Sequence, residues 1–420
     1  MTGVALIWLA TALLLAVGSA ALSRWLTFRD TRNAARNGAL LDPATADAVD
    51  RDRPRPWVVF NPSKFADPDD FRAKVDDLAL QHGISHVHWR GTTPEDPGTG
   101  QTVRALAEGA SVVIAAGGDG TVRAVAAGLA HSGVRMGIIP VGTGNLLARN
   151  LGLPIDDLPR AVAVALGPDH RGVDLAWLRM EDVEEASGIP AEGGLLAAAD
   201  APSVRSLPEG VREPQRDEYA YAIIAGLGFD GETMANTNPK LKKSVGWPAY
   251  VLSALTALRT RRMRCRLTLH DPAGPAGPAE QGVAASGPAT VDDGAPGDSA
   301  DETTEFTART VLFANCGELP YIVLAPDADP DDGLLDIIAV DTQAGLLGWA
   351  DLAAKVLVQG VGLRPLDMPT STGQIAFRQA PSASVHVDRP QVVQVDGDAL
   401  GRARTAHVRV DAGALDIAVA

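Results

Sequence analysis

The chain has only two cysteines, Cys265 and Cys316, among its 420 residues. Neither lies in a spacing typical of metal ligands or of a redox pair, so both are expected to be free thiols in a reducing compartment. Basic residues are also in deficit, with 37 Lys and Arg against 52 Asp and Glu, and the formal net charge is -15. This balance argues against a nucleic-acid partner, which would require a basic surface.

Bulky core-forming residues are scarcer than the apolar content of 46% implies, because much of that content is alanine. Two acidic stretches, 181–217 and 272–305, are rich in Ala, Gly and Pro, and no Lys or Arg lies between Arg266 and Arg309. They lack the apolar residues that would offset the entropy cost of ordering. Both are predicted to be disordered loops.

Residues 4–22 are almost continuously apolar and uncharged, about the length needed to cross a bilayer. Four arginines follow between positions 24 and 36 and none precedes, which predicts that the C-terminal side lies in the cytoplasm. A cleaved signal peptide is the alternative, but it would lack a basic beginning. The sequence therefore predicts a transmembrane anchor at 1–23, a linker at 24–55 and a single-pass protein of the cell membrane.

Two strand, glycine-turn and helix units follow one another in the chain. The apolar run 112–116 leads into Gly-Gly-Asp-Gly-Thr at 117–121, and the run 136–140 leads into Val-Gly-Thr-Gly-Asn at 141–145. Glycines let a backbone approach phosphates, and helix N-termini offer unpaired N–H groups to anions. Asp119 suits such a turn if a cation lies beside it, or if it anchors the loop. The pattern predicts a parallel sheet with ligands at the carboxyl ends of its strands.

After residue 167 the pattern changes to short strands separated by turns and long loops. Such spacing is typical of an antiparallel β domain. The sequence thus predicts an α/β protein with an N-terminal domain at 56–167 and a β-rich domain at 168–420.

These motifs resemble the diacylglycerol-kinase-type lipid kinases, the superfamily that includes sphingosine and ceramide kinases. Asn61-Pro62 and the two glycine turns carry the resemblance, together with Pro-Asp-Asp-Gly at 330–333 and Val-Asp-Gly-Asp at 395–398. The resemblance implies a Rossmann-like, NAD-kinase-like ATP-binding domain, followed by an antiparallel β-sandwich that binds lipid. It implies ATP and Mg²⁺ as cofactors.

The resemblance also implies the nucleotide-binding residues. The family often has a glycine and then a lysine after its entry motif, whereas this chain has Ser63-Lys64, and Lys64 is still expected to supply a cation. The expected nucleotide-binding residues are Asn61, Lys64, Gly117, Gly118, Asp119, Gly120, Thr121, Gly142, Thr143, Gly144, Asn145 and Asp398.

Two acidic turns complete the expected site. Asp396 is predicted to be the general base and Asp119 to organise magnesium, although an isolated Asp-Gly is usually only a hairpin turn. Asp331 and Asp332 are expected to hold a magnesium ion between the domains, with a solvated acidic turn as the alternative. The family often has a carboxylate where this chain has Leu146, which puts that metal network in doubt.

The sequence therefore predicts a lipid kinase that transfers the γ-phosphoryl group of ATP to a lipid hydroxyl, with diacylglycerol as the first candidate. Two alternatives stay open: a kinase for a soluble substrate such as a nicotinamide nucleotide, and a non-catalytic nucleotide- or lipid-binding module. The expected partners are a lipid substrate and a membrane, and a homodimer is compatible with the sequence.

Overall fold

The computed structural model of the chain describes residues 55–184, 212–215, 217–229, 262–272, 301–319, 322–325, 327–342 and 373–420. The predicted anchor at 1–23 and the predicted linker, except for its last residue Arg55, lie outside this part of the chain. The residues from Arg55 onward form one compact unit.

The first part of this unit contains four parallel strands in the order β2-β1-β3-β4. All residues of β1 and β3 are buried, as expected for central strands of a parallel sheet that is covered on both faces. The strands are β1 (Pro56–Phe60), β2 (His88–Gly91), β3 (Val112–Gly117) and β4 (Arg135–Pro140).

Five helices accompany these strands. The first begins where it does because the Asp67 carboxylate accepts the backbone N–H groups of Asp69 and Asp70, and Pro68 occupies the first helical position. Its apolar residues Phe71 and Val75 recur at helical spacing and are buried. The helices are α1 (Pro68–Gln81), α2 (Thr99–Ala107), α3 (Asp119–Leu129), α4 (Leu146–Asn150) and α5 (Leu158–Ala165).

The second part is formed by antiparallel strands, of which the last two are long. These strands are β5 (His170–Glu184), β6 (Glu218–Tyr221), β7 (Ile224–Phe229), β8 (Met263–His270), β9 (Glu302–Ala308), β10 (Thr310–Ala314), β11 (Glu318–Leu319), β12 (Ile322–Val323), β13 (Leu335–Thr342), β14 (Gly373–Ala380), β15 (Ser382–Val395) and β16 (Asp398–Ala418). β11 and β12 form a separate hairpin.

Strand β16 joins the two parts into one sheet. It pairs antiparallel with β15 and β5, and near its end Ile417 pairs in parallel with Met136 of β4. The described strands therefore form an α/β fold on one large mixed sheet of 14 strands. The sequence predicted a parallel domain followed by a separate antiparallel sandwich, because a contact between residues almost 300 positions apart leaves no local pattern.

The hydrophobic core also crosses from one part to the other. One cluster of buried side chains contains Val125 and Met136 of the first part together with Trp177 and Leu312 of the second. A second cluster lies within the β-rich part, and a third lies between the parallel sheet and helices α1 and α5. The ends of β3 and β4, which carry the glycine turns, are thus held by packing from both parts.

The predicted disordered loops differ from the structure at their ends. Residues up to Glu184 extend β5, and β9 begins at Glu302. In both places polar residues form strand because a neighbouring strand, β16 or β8, pairs with their backbone. Most of 185–217 and all of 273–300 lie outside the described residues.

No helix in the described ranges is both long and apolar enough to cross a membrane. The longest of them, α1, has 14 residues, whereas a spanning helix needs about 20. The prediction of a single-pass membrane protein is therefore wrong. It rested on residues 4–22, which lie outside the described part of the chain.

The buried Asp336 of β13 leads to a testable pH dependence. Burial raises the pKa of its carboxyl from 3.8 to about 6, although the Gln379 side chain donates to it. The folded state therefore binds this proton more tightly, so the stability contribution is complete below pH 3.8 and is lost as the pH rises through about 6. We expect Asp336→Asn to raise the free energy of unfolding at pH 7.5 by up to about 3 kcal/mol and to change it little at pH 4. Denaturant unfolding at both pH values measures this.

The control is Asp77→Asn, at an exposed position of α1. If Asp336→Asn destabilised the protein as much at pH 7.5 as at pH 4, this account of Asp336 would be contradicted.

Candidate active site

Asp119 joins the two glycine turns to each other. Its Oδ1 accepts the N–H of Leu146 at 2.6 Å, and its Oδ2 accepts the N–H of Asn145 at 3.2 Å. Burial raises the pKa of the Asp119 carboxyl, while these amide N–H groups and Arg123 act in the opposite direction. Of the two roles considered from the sequence, these contacts are those of a loop anchor. The role in organising magnesium stays a prediction.

The second turn is closed by Asn145, which has a left-handed backbone with φ 51°. Its Oδ1 accepts the N–H of Gly142 and its Nδ2 donates to the Gly142 carbonyl, both at 2.8 Å. A Cβ on Gly142 would lie 2.6 Å from Cα of Gly118, so the two turns touch backbone to backbone. Glycine is required there because any side chain would force the turns apart.

Lys64 reaches the first turn although the expected glycine before it is missing. A 3₁₀ turn at Pro62–Lys64 follows β1, and the Asn61 Oδ1 accepts the Ser63 N–H at 3.0 Å to cap it. This turn directs the lysine so that a methyl group built on Gly118 would lie 4.0 Å from Nζ. The structure therefore places Lys64 beside the glycine turns, while the Asn61 side chain is used in the local cap, and nucleotide binding by both residues stays a prediction.

The turn between β15 and β16 consists of Asp396 and Gly397, with φ of 45° and 86°. Positive φ at both positions is typical of the two-residue hairpin that favours Asp-Gly. The Asp396 side chain nevertheless points inward and is only 2% exposed. It accepts the N–H groups of Ala222, Ile223 and Ile224, each at 3.0 Å.

The environment of Asp396 is that of a buried anion. Burial raises the pKa of its carboxyl, and Arg123 and the three amides lower it. Both carboxylate oxygens are engaged by backbone N–H groups. The role of Asp396 as general base stays a prediction, and the contacts show a carboxylate that fixes the backbone of residues 222–224.

Asp398 is placed differently from Asp396. Its side chain is 28% exposed, and a methyl group built on Gly120 would lie 3.9 Å from its Oδ2. Asp398 thus faces the first glycine turn, where the sequence placed it. Beside it is a small cleft lined by Pro97, Thr99, Gly120, Arg123, Ala124, Ala127, Tyr219, Ala220, Val395 and Asp398.

Arg123 is the site residue that the sequence reasoning missed. It lies on α3 and is buried, and its guanidinium donates to the Val395 carbonyl at 3.0 Å and to Asp398 Oδ2 at 2.7 Å. Its Nη1 is 3.9 Å from Asp396 Oδ2. The signal available was a single arginine in a helix otherwise composed mainly of Ala, Val and Gly, a pattern that predicts a buried charge with a distant partner.

The predicted metal residues have other partners. Arg171 donates to Asp331 Oδ2 at 2.7 Å and to Asp329 Oδ1 at 3.3 Å, and Asp332 Oδ1 accepts the Leu334 N–H at 2.9 Å. A side-chain hydrogen bond with Asp331, which accepts from the protonated carboxyl, and partial burial raise the pKa of Asp329.

These side chains do not fit a resident divalent cation. Within the part of the chain that the structure describes, no three or more His, Cys, Asp and Glu side chains are arranged to hold a metal ion. The contacts of the acidic turn are those of an ion pair and a local cap, and the magnesium site stays a prediction.

The sequence reasoning also missed a buried aspartate that contacts this acidic turn. Asp174 of β5 is 1% exposed. It accepts the N–H of Gly333 and of Gly413, both at 2.7 Å. Asp174 therefore holds the acidic turn against β5 and β16, in the same way that Asp119 holds the second glycine turn.

Comparison with known proteins gives matches to a protein family and to individual relatives. Residues 55–178 match the family described as the diacylglycerol kinase catalytic domain. A segment of 154 residues is 31% identical to a "Probable lipid kinase YegS-like" of Pseudomonas aeruginosa, covering 36% of this chain and 38% of that protein. A segment of 211 residues is 36% identical to the protein of the same description in Xanthomonas euvesicatoria, covering 49% and 56%.

A structural likeness extends further along the chain. The crystal structure of a diacylglycerol kinase from Bacillus anthracis superposes with a TM-score of 0.55 at 18% identity, covering 87% of this chain and 97% of that chain. At this identity the likeness shows the fold. The sequence matches span about half or less of the first curated relatives, at 52% and 38% of their lengths.

Residues 55–178 thus match the catalytic domain of diacylglycerol kinases, and the resemblance predicted from the glycine turns is confirmed.

The anchoring role of Asp119 leads to a prediction. In Asp119→Asn, one of the two backbone N–H donors faces an amide NH₂ group instead of an oxygen. Since a buried donor without an acceptor costs about 1–3 kcal/mol, we expect a loss of stability of that size together with weaker nucleotide binding. Chemical unfolding and calorimetry with ADP measure the two effects, with Asp77→Asn as the control. Full stability with lost activity would instead support the magnesium role.

Proposed function

We propose that this protein is an ATP-dependent lipid kinase that transfers the γ-phosphoryl group to a lipid hydroxyl. Diacylglycerol is the first candidate acceptor, and the products would then be phosphatidic acid and ADP. The name lipid kinase carried by the relatives from Pseudomonas and Xanthomonas supports the substrate class. The name diacylglycerol kinase carried by the structural neighbour supports the candidate acceptor.

One observation carries the proposal, namely the grouping of chemically different side chains around the first glycine turn. Lys64 lies next to Gly118 of this turn. Asp398 lies next to Gly120. The backbone of Gly142 brings the second turn against the first. A cation, backbone N–H groups and a carboxylate are the parts that phosphoryl transfer to a hydroxyl requires.

In the proposed reaction, the N–H groups at the start of α3 and Lys64 bind the phosphates of ATP. Magnesium enters with the nucleotide as part of the substrate. A carboxylate accepts the proton of the lipid hydroxyl, whose oxygen bonds to the γ-phosphorus as the bond to the β-phosphate oxygen breaks. ADP then leaves with the bonding electrons.

The sequence assigned the base to Asp396, and the contacts favour Asp398. A general base must come within hydrogen-bond reach of the acceptor hydroxyl. Asp396 is 2% exposed with both oxygens bonded to backbone N–H groups, whereas Asp398 is 28% exposed and lines the cleft. We therefore assign substrate contact to Asp398 and support of the backbone to Asp396.

The proposed function is tested by incubating the purified protein with labelled ATP and Mg²⁺. The acceptors are diacylglycerol, ceramide and sphingosine in mixed micelles, with NAD as a soluble acceptor. Label in diacylglycerol supports the proposal, and label in ceramide or sphingosine alone would keep the lipid kinase and change its substrate. Label in NAD alone would favour the soluble-substrate kinase. No label in any acceptor, with ADP still bound, would favour the non-catalytic module.

The two acidic side chains are distinguished by matched variants. We expect Asp398→Asn to lower kcat by about 10²–10⁴-fold, the usual cost of losing a positioned base, with ADP affinity nearly unchanged.

We expect Asp396→Asn to lower the free energy of unfolding by about 1–3 kcal/mol, because a side-chain NH₂ group would face backbone N–H donors. Steady-state kinetics and denaturant unfolding measure both. A stable Asp396→Asn protein without transfer activity would restore Asp396 as the base.

A further inference from the structure

Arg123 makes a buried connection between two segments that are far apart in the sequence. It belongs to α3, and its side chain is 8% exposed. Two of its hydrogen-bond partners, the Val395 carbonyl and the Asp398 carboxylate, lie 272 and 275 positions away. Asp396 Oδ2 is 3.9 Å from the same guanidinium. One arginine thus contacts the last residue of β15, the turn and the first residue of β16.

The chemistry of these contacts depends on a guanidinium. Its nitrogens lie in a fixed plane, so one can donate to a carbonyl while another donates to a carboxylate. A lysine ammonium carries the same charge but is a point donor on a flexible stem. A buried arginine is retained only with partners that satisfy its charge, and removal of a partner leaves the other charge unpaired.

The position of Arg123 links it to the proposed phosphoryl transfer. Asp119 and Gly120 begin helix α3, and Arg123 lies one helical turn further along. When Arg123 holds Asp398, it fixes the distance between this carboxylate and the glycine turn. It also places a positive charge beside a carboxylate that would otherwise repel the phosphates of the nucleotide.

We propose that Arg123 is a positioning residue of this active site, which holds the Asp396–Asp398 turn on helix α3 and orients the Asp398 carboxylate toward the acceptor. The proposal rests on the proposed lipid kinase function. It adds that the geometry of the acidic turn is set from the nucleotide-binding helix by one ion pair.

The test uses Arg123→Gln, Arg123→Lys, Asp398→Asn and the double variant Arg123→Gln/Asp398→Asn. The matched control is Arg266→Gln, which removes an exposed arginine paired with Glu305 on β8 and β9. Each protein is measured for ADP affinity by calorimetry, for kcat and KM with the best acceptor, and for unfolding in denaturant.

We expect Arg123→Gln to lower kcat by about 10²-fold with less than a threefold change in ADP affinity, since a misplaced carboxylate affects transfer more than nucleotide binding. Arg123→Lys should recover part of this loss because the charge remains. The double variant should be no slower than the slower single variant, because residues that act as one unit show non-additive effects. Arg266→Gln should behave as the unchanged protein.

Two results would overturn the proposal: kcat losses of the two single variants that multiply in the double variant, or activity that falls only in step with the folded fraction. If Arg123→Gln does not fold, Arg123→Lys and Asp398→Asn carry the same comparison. The coupling between residues 123 and 398 is also measured in the unfolding experiment, which needs no acceptor. If the two substitutions are coupled in the unfolding experiment but no lipid is phosphorylated, the result counts against the proposed function. If they are not coupled in unfolding, the result counts against the Arg123 contact.

Discussion

Three aspartates hold together backbone segments that are distant in the sequence. Asp119 binds the second glycine turn, Asp174 binds the backbone at Gly333 and Gly413, and Asp396 binds residues 222–224. In each case one carboxylate accepts two or three backbone N–H groups. Such charge-assisted bonds are stronger than neutral ones, and removal of the carboxylate would leave several donors unsatisfied. The site depends on these bonds because they fix the turns from which it is built.

This constraint also limits which acidic groups are available for chemistry. A carboxylate with both oxygens bonded to amides is poorly suited to bind a metal or to accept a proton from a substrate. Asp119 and Asp396, two residues selected from the sequence for catalysis, are in that position. In the turn between β15 and β16, Asp398 is the carboxylate that faces the cleft, and Arg123 holds it there. The proposed division of work between support and substrate contact follows from burial and from the hydrogen-bond partners.

The match to the diacylglycerol kinase catalytic domain ends at residue 178, whereas the fold likeness extends over most of the chain. The physical link between the matched and unmatched parts is β16, which pairs with β4 and β15 and begins at Asp398. Asp398 lies in the part of the chain outside the family match, and β16 places it beside the glycine turns of the matched part. The same strand makes the parallel and antiparallel regions one sheet.

The sequence by itself determined the parts of the protein that depend on local patterns. Buried strands read as apolar runs, and the glycine turns as motifs with a known ligand chemistry. Only the tertiary structure decided that Asp119 anchors a loop and that Asp396 points inward. It also decided that Arg171 pairs with the aspartates of the turn at 329–331 and that Arg123 belongs to the site. Each of these depends on a partner 26 to 275 positions away. Burial and pairing at such distances leave no periodicity or spacing in the sequence, since they arise only when the strands have come together.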